Sequence, residues 1–500
     1  MDFDLDRYQP LPVRYELRYM MLQKLREGVD PLPDIQGREE TKNDVIRAVL
    51  SNSHPYLVSR EGTGKTRLAE SLAKLLPPVP KIKGCPYNCD PKWPEAWKCP
   101  SCMDEGDPEI EFISGKQRYS RIQGNEYTNE AKILGVKDIQ AIVEGGSPTD
   151  PRAFIGTGVL RGNRGVVAVD ELPAIPTKVQ VLFHPMLQEN KIILEEYAWE
   201  RPIDLFFIAT GNPAGFAHVN RIPEPLLDRL ELIPMDLPDE PVEREIMFRE
   251  RFRVHEGFFA EMEERRLQEP LYITAPSLRR RVVAPWWIVD VIIKAVRYTR
   301  DCPNIDRGAS IRGGIKALDH AYSTTEMRGG RVTNLSDAAD GLQLALRGRV
   351  RLRADLINFD EQEGELMNQT VRVIDDILWY AVRDVGERVL TGFDGDQGAL
   401  IEEVPGLLAD WGRPTDNLES YPAFAEVLTW MDELSPGETE PLVDGFGGQL
   451  RRHLDGEDPE ALEEYRLTAL ELLGNALLAE ELLSGLPDDA KIYVPKRIEL

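Results

Sequence analysis

The sequence predicts an α/β protein, a parallel sheet covered on both faces by helices and followed by an all-helical region. Two observations carry this. Three short runs, Pro55–Val58, Gly165–Val169 and Leu205–Ala209, are apolar throughout and are separated by helical patterns. Strands buried on both faces read this way, whereas strands with one wet face alternate. Each run also stops at a polar cluster, and the carboxyl ends of parallel strands are where such sheets hold ligands. From Val242 onward the pattern is helical, without a strong strand signal.

The elements follow in order. Val13, Leu17, Met21 and Leu25 recur about one turn apart and predict a helix over Pro12–Gly28, ended by Asp30-Pro-Leu-Pro. A helix over Glu40–Leu50 leads into the first strand. A helix over Arg67–Leu76 is stopped by Pro77-Pro-Val-Pro80. Residues 110–160 read as loop-rich, and Leu230–Leu237 is a possible fourth strand. Further helical patterns cover Glu365–Val389 and Asp458–Leu483, with Thr391–Gly398 reading as a linker. The organisation expected is an N-terminal helical segment (1–30), a nucleotide-binding core (31–240) with a cysteine-bearing insertion at about 81–106, a helical lid (241–355) and an acidic, mainly helical C-terminal region (356–500).

Composition bounds the function. At ~100–200 residues per domain, 500 residues imply two to four domains. With 42% hydrophobic and 29% charged residues, the chain is too apolar for disorder. The best apolar stretch, Trp286–Val296, falls short of the ~18 residues of a membrane span and contains Asp290 and Lys294. The opening Met-Asp-Phe-Asp-Leu-Asp has neither the basic nor the apolar segment of a secretory signal, so a cytoplasmic location is expected. The net charge of −26 argues against sequence-independent DNA coating, which depends on Lys and Arg against phosphate. That charge is concentrated: residues 391–500 hold 25 acidic and 7 basic side chains.

The first strand runs into Arg60-Glu61-Gly62-Thr63-Gly64-Lys65-Thr66-Arg67. Strand, glycine-rich loop and helix in succession form a phosphate cradle: closely spaced glycines let backbone N–H groups converge on phosphate at a helix N-terminus. Lys65 would supply charge to the β- and γ-phosphates and Thr66 a hydroxyl ligand to Mg²⁺. The consensus loop begins with glycine where this chain has Ser59, which either distorts the loop or adopts the same backbone path. Asp170 and Glu171 close the second strand. Such a pair is also a common helix N-cap, but hydrolysis needs a metal ligand and a water-activating base within reach, and these two fit. Asn212, after the third strand, can orient water or bond the γ-phosphate, or simply make a turn before Pro213. Arg229 is a candidate arginine finger or an ordinary surface arginine between Asp228 and Glu231.

Four of the five cysteines form two pairs, Cys85 with Cys89 and Cys99 with Cys102. This spacing predicts a closed tetrathiolate site for structural Zn²⁺, with an iron–sulfur cluster or unligated thiols as alternatives. Trp93 and Trp97 lie between the pairs, and Cys302 reads as an incidental thiol. His184, His218 and His255 share no ligand spacing. The basic run Arg347–Arg353 suits a helix C-terminus or a solvated face better than nucleic acid.

On these residues the chain resembles an AAA+ ATPase, and specifically the ATPase subunit of magnesium chelatase and its MoxR-like relatives. The resemblance rests on the phosphate loop, Arg121-Ile-Gln-Gly-Asn125, Ile133-Leu-Gly135 with Asp138-Ile-Gln, and Phe154-Ile-Gly-Thr-Gly-Val-Leu-Arg-Gly-Asn-Arg-Gly165. It extends through Glu171-Leu-Pro, Gln180, Leu187–Lys191, Thr210-Gly-Asn-Pro213 and Leu226-Leu-Asp-Arg229 to Ser310-Ile-Arg312-Gly-Gly, with Ala317 and Ala321. It covers about residues 30–355. It implies a RecA-like AAA+ core with a helical lid, assembled as a homo-oligomeric ring, a hexamer by analogy. Arg229 would act in trans, and Arg312 would contact phosphate from the lid, with Arg279–Arg281 as a rival cluster. It further implies a motor that uses ATP and Mg²⁺ to remodel a partner, such as a von Willebrand factor A (VWA) domain protein, in metal insertion or metalloenzyme maturation. The cysteine insertion and the acidic region have no counterpart in that family. Two other readings are a nucleic-acid motor and an ATP-dependent scaffold with weak hydrolysis.

Overall fold

The structure, a computed structural model, describes residues 4–60, 62–103, 108–144, 146–194, 199–212, 220–250, 282–356, 363–410, 418–433, 459–483, 485–487, 492–495 and 497. The chain divides into two compact units, Met1–Pro238 and Asp239–Leu500.

The first unit is built on eleven strands among the described residues. They are β1 (His54–Val58), β2 (Val79–Ile82), β3 (Ile110–Ile113), β4 (Tyr119–Gln123), β5 (Gly135–Lys137), β6 (Phe154–Gly156), β7 (Gly165–Asp170), β8 (Lys191–Leu194), β9 (Trp199–Pro202), β10 (Leu205–Gly211) and β11 (Leu230–Pro234). Five form the central sheet, in the order β11-β1-β10-β7-β4, and every pairing is parallel. The others pair as antiparallel hairpins, β2–β3, β5–β6 and β8–β9. Helices α1 (Val13–Arg26), α2 (Glu39–Leu50) and α3 (Lys65–Leu75) complete this unit's longer elements.

The unbroken apolar runs have the expected cause. Val167 and Val169 of β7, with Leu205, Phe207 and Ala209 of β10, enter one core. Their neighbours Val166, Ala168, Phe206 and Ile208 enter a second core with Val13, Leu17 and Met21 of α1 and Leu68 and Leu72 of α3. Successive side chains point to opposite faces of a strand, so covering both faces makes every position apolar.

Two sequence expectations need correction. Residues 110–160 are not loop-rich: they contain β3 to β6. The edge strand β4 reads Tyr-Ser-Arg-Ile-Gln, with only Ile122 fully buried, so it lacks the apolar continuity of the central strands. The stretch from Val242 to Arg353 is not purely helical either, since Ile305–Arg307 (β12) and Arg351–Leu352 (β13) pair antiparallel. The strand at Arg351 takes up part of the basic run.

The second unit is otherwise helical among the described residues: α4 (Glu240–Glu250), α5 (Trp286–Asp301), α6 (Ile311–Met327), α7 (Leu335–Leu346), α8 (Glu363–Gly392), α9 (Gln397–Ala409), α10 (Pro422–Glu433) and α11 (Pro459–Ala479). Helices α6 and α7 cross so closely that a Cβ on Gly341 would sit 2.6 Å from the carbonyl oxygen of Ala317. Carboxylates of α11 reach back to the start of α7: Glu471 accepts from the Leu335 N–H at 2.9 Å, and Glu464 from those of Arg331 and Val332 at 2.8 and 2.6 Å. No helix among the described residues is long and apolar enough to cross a membrane.

Candidate functional site

Three neighbouring parallel strands, β1, β10 and β7, deliver their carboxyl ends to one place. The loop after β1 turns through Gly62 and Gly64, with φ of 77° and 93°, a left-handed conformation that glycine adopts without Cβ strain. Gly64 is the residue before α3, so Lys65 and Thr66 open the helix. The helix therefore starts two residues before the expected Arg67.

Lys65 Nζ donates to the carbonyl oxygens of Ser59 (2.6 Å) and Arg60 (3.1 Å) and to Asn212 Oδ1 (3.2 Å). This joins the ends of β1 and β10. The Thr66 hydroxyl donates to Asp170 Oδ2 at 3.1 Å, joining α3 to the end of β7. Asp170 is nearly fully buried, and its other oxygen accepts from Thr210 Oγ1 at 3.2 Å. Thr210 Oγ1 in turn accepts from the Glu171 N–H at 3.1 Å. Glu171 itself has φ of 56°, and its carboxylate accepts from Gln123 Nε2 at 3.2 Å.

Ser59 is buried directly after β1. It is not among the residues of positive φ, so the backbone there does not require glycine. Its buried hydroxyl lies 2.5 Å from Thr63 Oγ1, a bond across the base of the loop that glycine could not make. Arg38 braces the same loop by donating to the Thr63 carbonyl.

Two further side chains went unrecognised as site residues in the sequence. Arg121 Nε donates to Asp170 Oδ2 at 2.6 Å, the oxygen that Thr66 also uses. Gln123, two residues on, bonds both Arg121 and Glu171. Their i, i+2 spacing places both on one face of β4, and the polar alternation of that strand was the available signal. Gly124 then passes so close that a Cβ would fall 2.4 Å from the Glu171 carbonyl oxygen and 2.8 Å from that of Asp170.

The remaining candidates are dispersed. Arg229 directly precedes β11, whose Leu230 is level with His54 at the start of β1. Five residues at ~3.3 Å each separate that level from the phosphate loop, so Arg229 stands at the other end of the sheet from its own chain's loop. It donates to Gln188 Oε1 and the Pro225 carbonyl. Its charge, after burial, helps depress the pKa of His184. Arg312 is the second residue of α6, exposed, in the second unit. Arg60 is exposed and Arg67 half-buried on α3. Glu61, Pro213, His218, His255 and Arg279–Arg281 lie outside the described residues.

The four cysteines do converge. Their sulfurs all lie within 4.8 Å of one another and all four residues are buried; Cys85 Sγ and Cys99 Sγ are 3.9 Å apart. A tetrahedron with Zn–S bonds of ~2.3 Å has sulfur–sulfur edges of about 3.8 Å, so the donor set fits such an ion. The thiols perturb one another: hydrogen bonds from Cys102, Cys89 and Cys99 push the Cys85 thiol down, and the same crowding pushes Cys102 up. The cluster hangs from the β2–β3 hairpin, beside Asn163 and Arg164 at the start of β7, the sheet end remote from the phosphate loop.

Comparison with known proteins adds likenesses over part of the chain. Residues 110–230 match the AAA domain of the dynein-related subfamily, a segment that begins after the phosphate loop and contains Asp170, Glu171, Asn212 and Arg229. The chain is 28% identical to the magnesium-chelatase 67 kDa subunit of Heliobacterium mobile over 193 residues, which is 37% of this chain and 28% of that protein's length. It is 25% identical to the magnesium-chelatase subunit ChlI homolog of Methanocaldococcus jannaschii over 343 residues, covering 65% of this chain and 87% of that one. The magnesium-chelatase 38 kDa subunit of Acidiphilium rubrum is 26% identical over 338 residues, covering 64% and 91%. With its sheet order, its phosphate loop and this matched segment, the chain carries an AAA domain and is similar, at 25–28% identity, to magnesium-chelatase subunits.

Proposed function

We propose that the chain hydrolyses ATP in a Mg²⁺-dependent reaction, as one subunit of a homo-oligomeric ring, a hexamer by analogy, that remodels a partner protein. The observation that carries this is the convergence of Lys65, Thr66, Asp170, Glu171 and Asn212 at three adjacent strand ends. Lys65 binds the β- and γ-phosphates, and the loop amides around Gly62 and Gly64 cradle their oxygens. Thr66 and Asp170 are the residues that would hold Mg²⁺, which supplies charge neutralisation on the phosphates. Glu171 orients the attacking water and accepts its proton as the water oxygen bonds to the γ-phosphorus and the bond to the bridging oxygen breaks. Asn212 fixes the γ-phosphate end, and Arg312 contacts phosphate from the lid.

The reading of Arg229 as an arginine finger supports the ring. At the far end of its own sheet it cannot touch its own chain's nucleotide, so stabilising a γ-phosphoryl group requires a neighbouring copy. The likeness to magnesium-chelatase subunits supports a partner bearing a VWA domain, with metal insertion or metalloenzyme maturation as the work done. The four cysteines hold a structural Zn²⁺. The test is phosphate release from ATP by the full chain: it should require Mg²⁺ and vanish in Lys65→Ala together with ATP binding. Release that persists in Lys65→Ala, or without Mg²⁺, contradicts the proposal.

A further inference from the structure

The cysteine cluster is wired to two hairpins of the first unit. Arg201, on β9, is almost completely buried, and its Nη2 lies 3.4 Å from Cys89 Sγ. Its Nε donates to the Trp97 carbonyl, inside the cysteine insertion, at 3.3 Å. The guanidinium carbon lies 6.0 Å from the ring centroids of both Tyr87, between the first two cysteines, and Trp199, on its own hairpin. The second link is Tyr87, whose hydroxyl accepts from the Gly156 N–H of β6 at 2.8 Å. Asn88 and Asn163 tie the same turn to the start of β7, through Asn88 Nδ2 to the Asn163 carbonyl (3.0 Å) and Asn163 Nδ2 to the Tyr87 carbonyl (2.8 Å).

The charge balance explains why an arginine is there. Four thiolates around one divalent cation carry a net charge of −2, and a buried charge is tolerated only when paired and hydrogen-bonded. The Cys99 N–H donates to Cys89 Sγ at 3.1 Å, which stabilises thiolate without supplying charge. The buried carboxylate nearby, Asp90, is already paired with Arg164 at 2.7 Å and accepts from Tyr8 at 2.6 Å. Arg201 therefore supplies the cation that the sulfurs need. In the metal-free cluster the same guanidinium is a buried charge facing thiols, an arrangement with no electrostatic rationale.

We propose that Arg201 is the internal counter-ion of the tetrathiolate zinc centre, and that the loaded centre clasps the β5–β6 and β8–β9 hairpins to the sheet through Tyr87 and Arg201. This rests on the reading that the four cysteines hold zinc. Arg201 is a positioning residue: it touches sulfur, not the metal. Losing zinc frees the turn that carries Tyr87 and leaves Arg201 without its anionic partner, so both hairpins loosen while the central strands persist.

The experiment uses the full chain, zinc ion alone as the probe, and hydrogen exchange read by peptide. The purified protein should contain one zinc per chain. Stripping it with a chelator should speed exchange by about tenfold or more in peptides spanning 154–157 and 191–202, leave the β7 peptide 165–170 unchanged, and reverse on re-addition of zinc. Arg201→Gln should weaken zinc binding by about 10–100-fold in competition with a chromophoric chelator, the usual cost of losing an outer-shell partner, and Arg201→Lys should recover part of it. If the chain binds no zinc, the metal reading and the clasp fall together. If it binds one zinc but the hairpins exchange equally with and without it, or Arg201→Gln binds zinc as tightly as the unaltered chain, the clasp alone is overturned. Because the stripping arm uses the unaltered chain, poor folding of Arg201→Gln does not shield the proposal.

Discussion

Asp170 accepts from Thr66, Thr210 and Arg121 while nearly excluded from water. Those donors satisfy a buried carboxylate and fix its orientation toward the phosphate loop. Thr66 and Asp170 are readable from the sequence because phosphate loop and acidic strand end are linear patterns. Arg121 and Thr210 are not, since their role arises only when β4 and β10 flank β7. Arg121 shares its carboxylate oxygen with Thr66 and so would compete with a Mg²⁺ held there. Its side chain is roughly half exposed, and such a pair contributes about 0.5–1 kcal/mol. Arg121→Gln is therefore expected to lower the Mg²⁺ concentration for half-maximal ATP hydrolysis by about two- to fivefold. A magnesium titration that shows an unchanged or higher requirement contradicts the competition.

Strands β7 and β10 were legible because burial on both faces leaves nothing polar to confuse the pattern, and their ends marked themselves with Asp170 and Asn212. Strand β4 was hidden because an edge position relaxes the demand for apolar residues, and because its last turns of sequence serve the site. Gly124, just beyond β4, shows how tightly that edge is set against the turn after β7. Gly124→Ala must push the backbone of Asp170 and Glu171 away. With misplacements near 1 Å costing about 10²-fold, kcat should fall on that order while ATP affinity, set by the untouched phosphate loop, holds within a few-fold. Parallel loss of affinity and kcat would show that the variant disturbs the whole fold.

At the scale of the molecule, the strong negative charge looked like a property of an appended region. Part of it is internal to the second unit, where Glu464 and Glu471 of α11 bond backbone N–H groups ahead of and within the first turn of α7, and Glu471 also accepts from the Tyr493 N–H at 2.9 Å. Composition could not reveal this, because a carboxylate that caps a distant backbone and one that faces water are the same letter. Burial raises the Glu471 pKa from 4.5 to about 7. Between those values the folded state binds more protons than the unfolded one, so this group's contribution to stability is full below about pH 4.5 and is lost as pH rises through about 7, by at most about 3 kcal/mol. Denaturant unfolding of the second unit should show that decline between pH 5 and 8, and Glu471→Gln should flatten it. An identical slope in the variant would remove the assignment.

The proposed ring has its own test in mixtures. Arg229→Ala and Glu171→Gln should each be nearly inactive, and mixing them should restore part of the hydrolysis, because some interfaces then pair an intact Glu171 with an intact Arg229 from the neighbouring copy. Mixtures no more active than the separate variants would argue against action in trans.

All of this depends on Glu171 as the group that activates water, and one comparison addresses it directly: ATP binding and phosphate release measured side by side for the unaltered chain and Glu171→Gln. Glu171→Gln should bind ATP within a few-fold of the unaltered chain and turn over about 10²–10⁴-fold more slowly, the usual contribution of a positioned general base. Turnover unchanged in Glu171→Gln would contradict it.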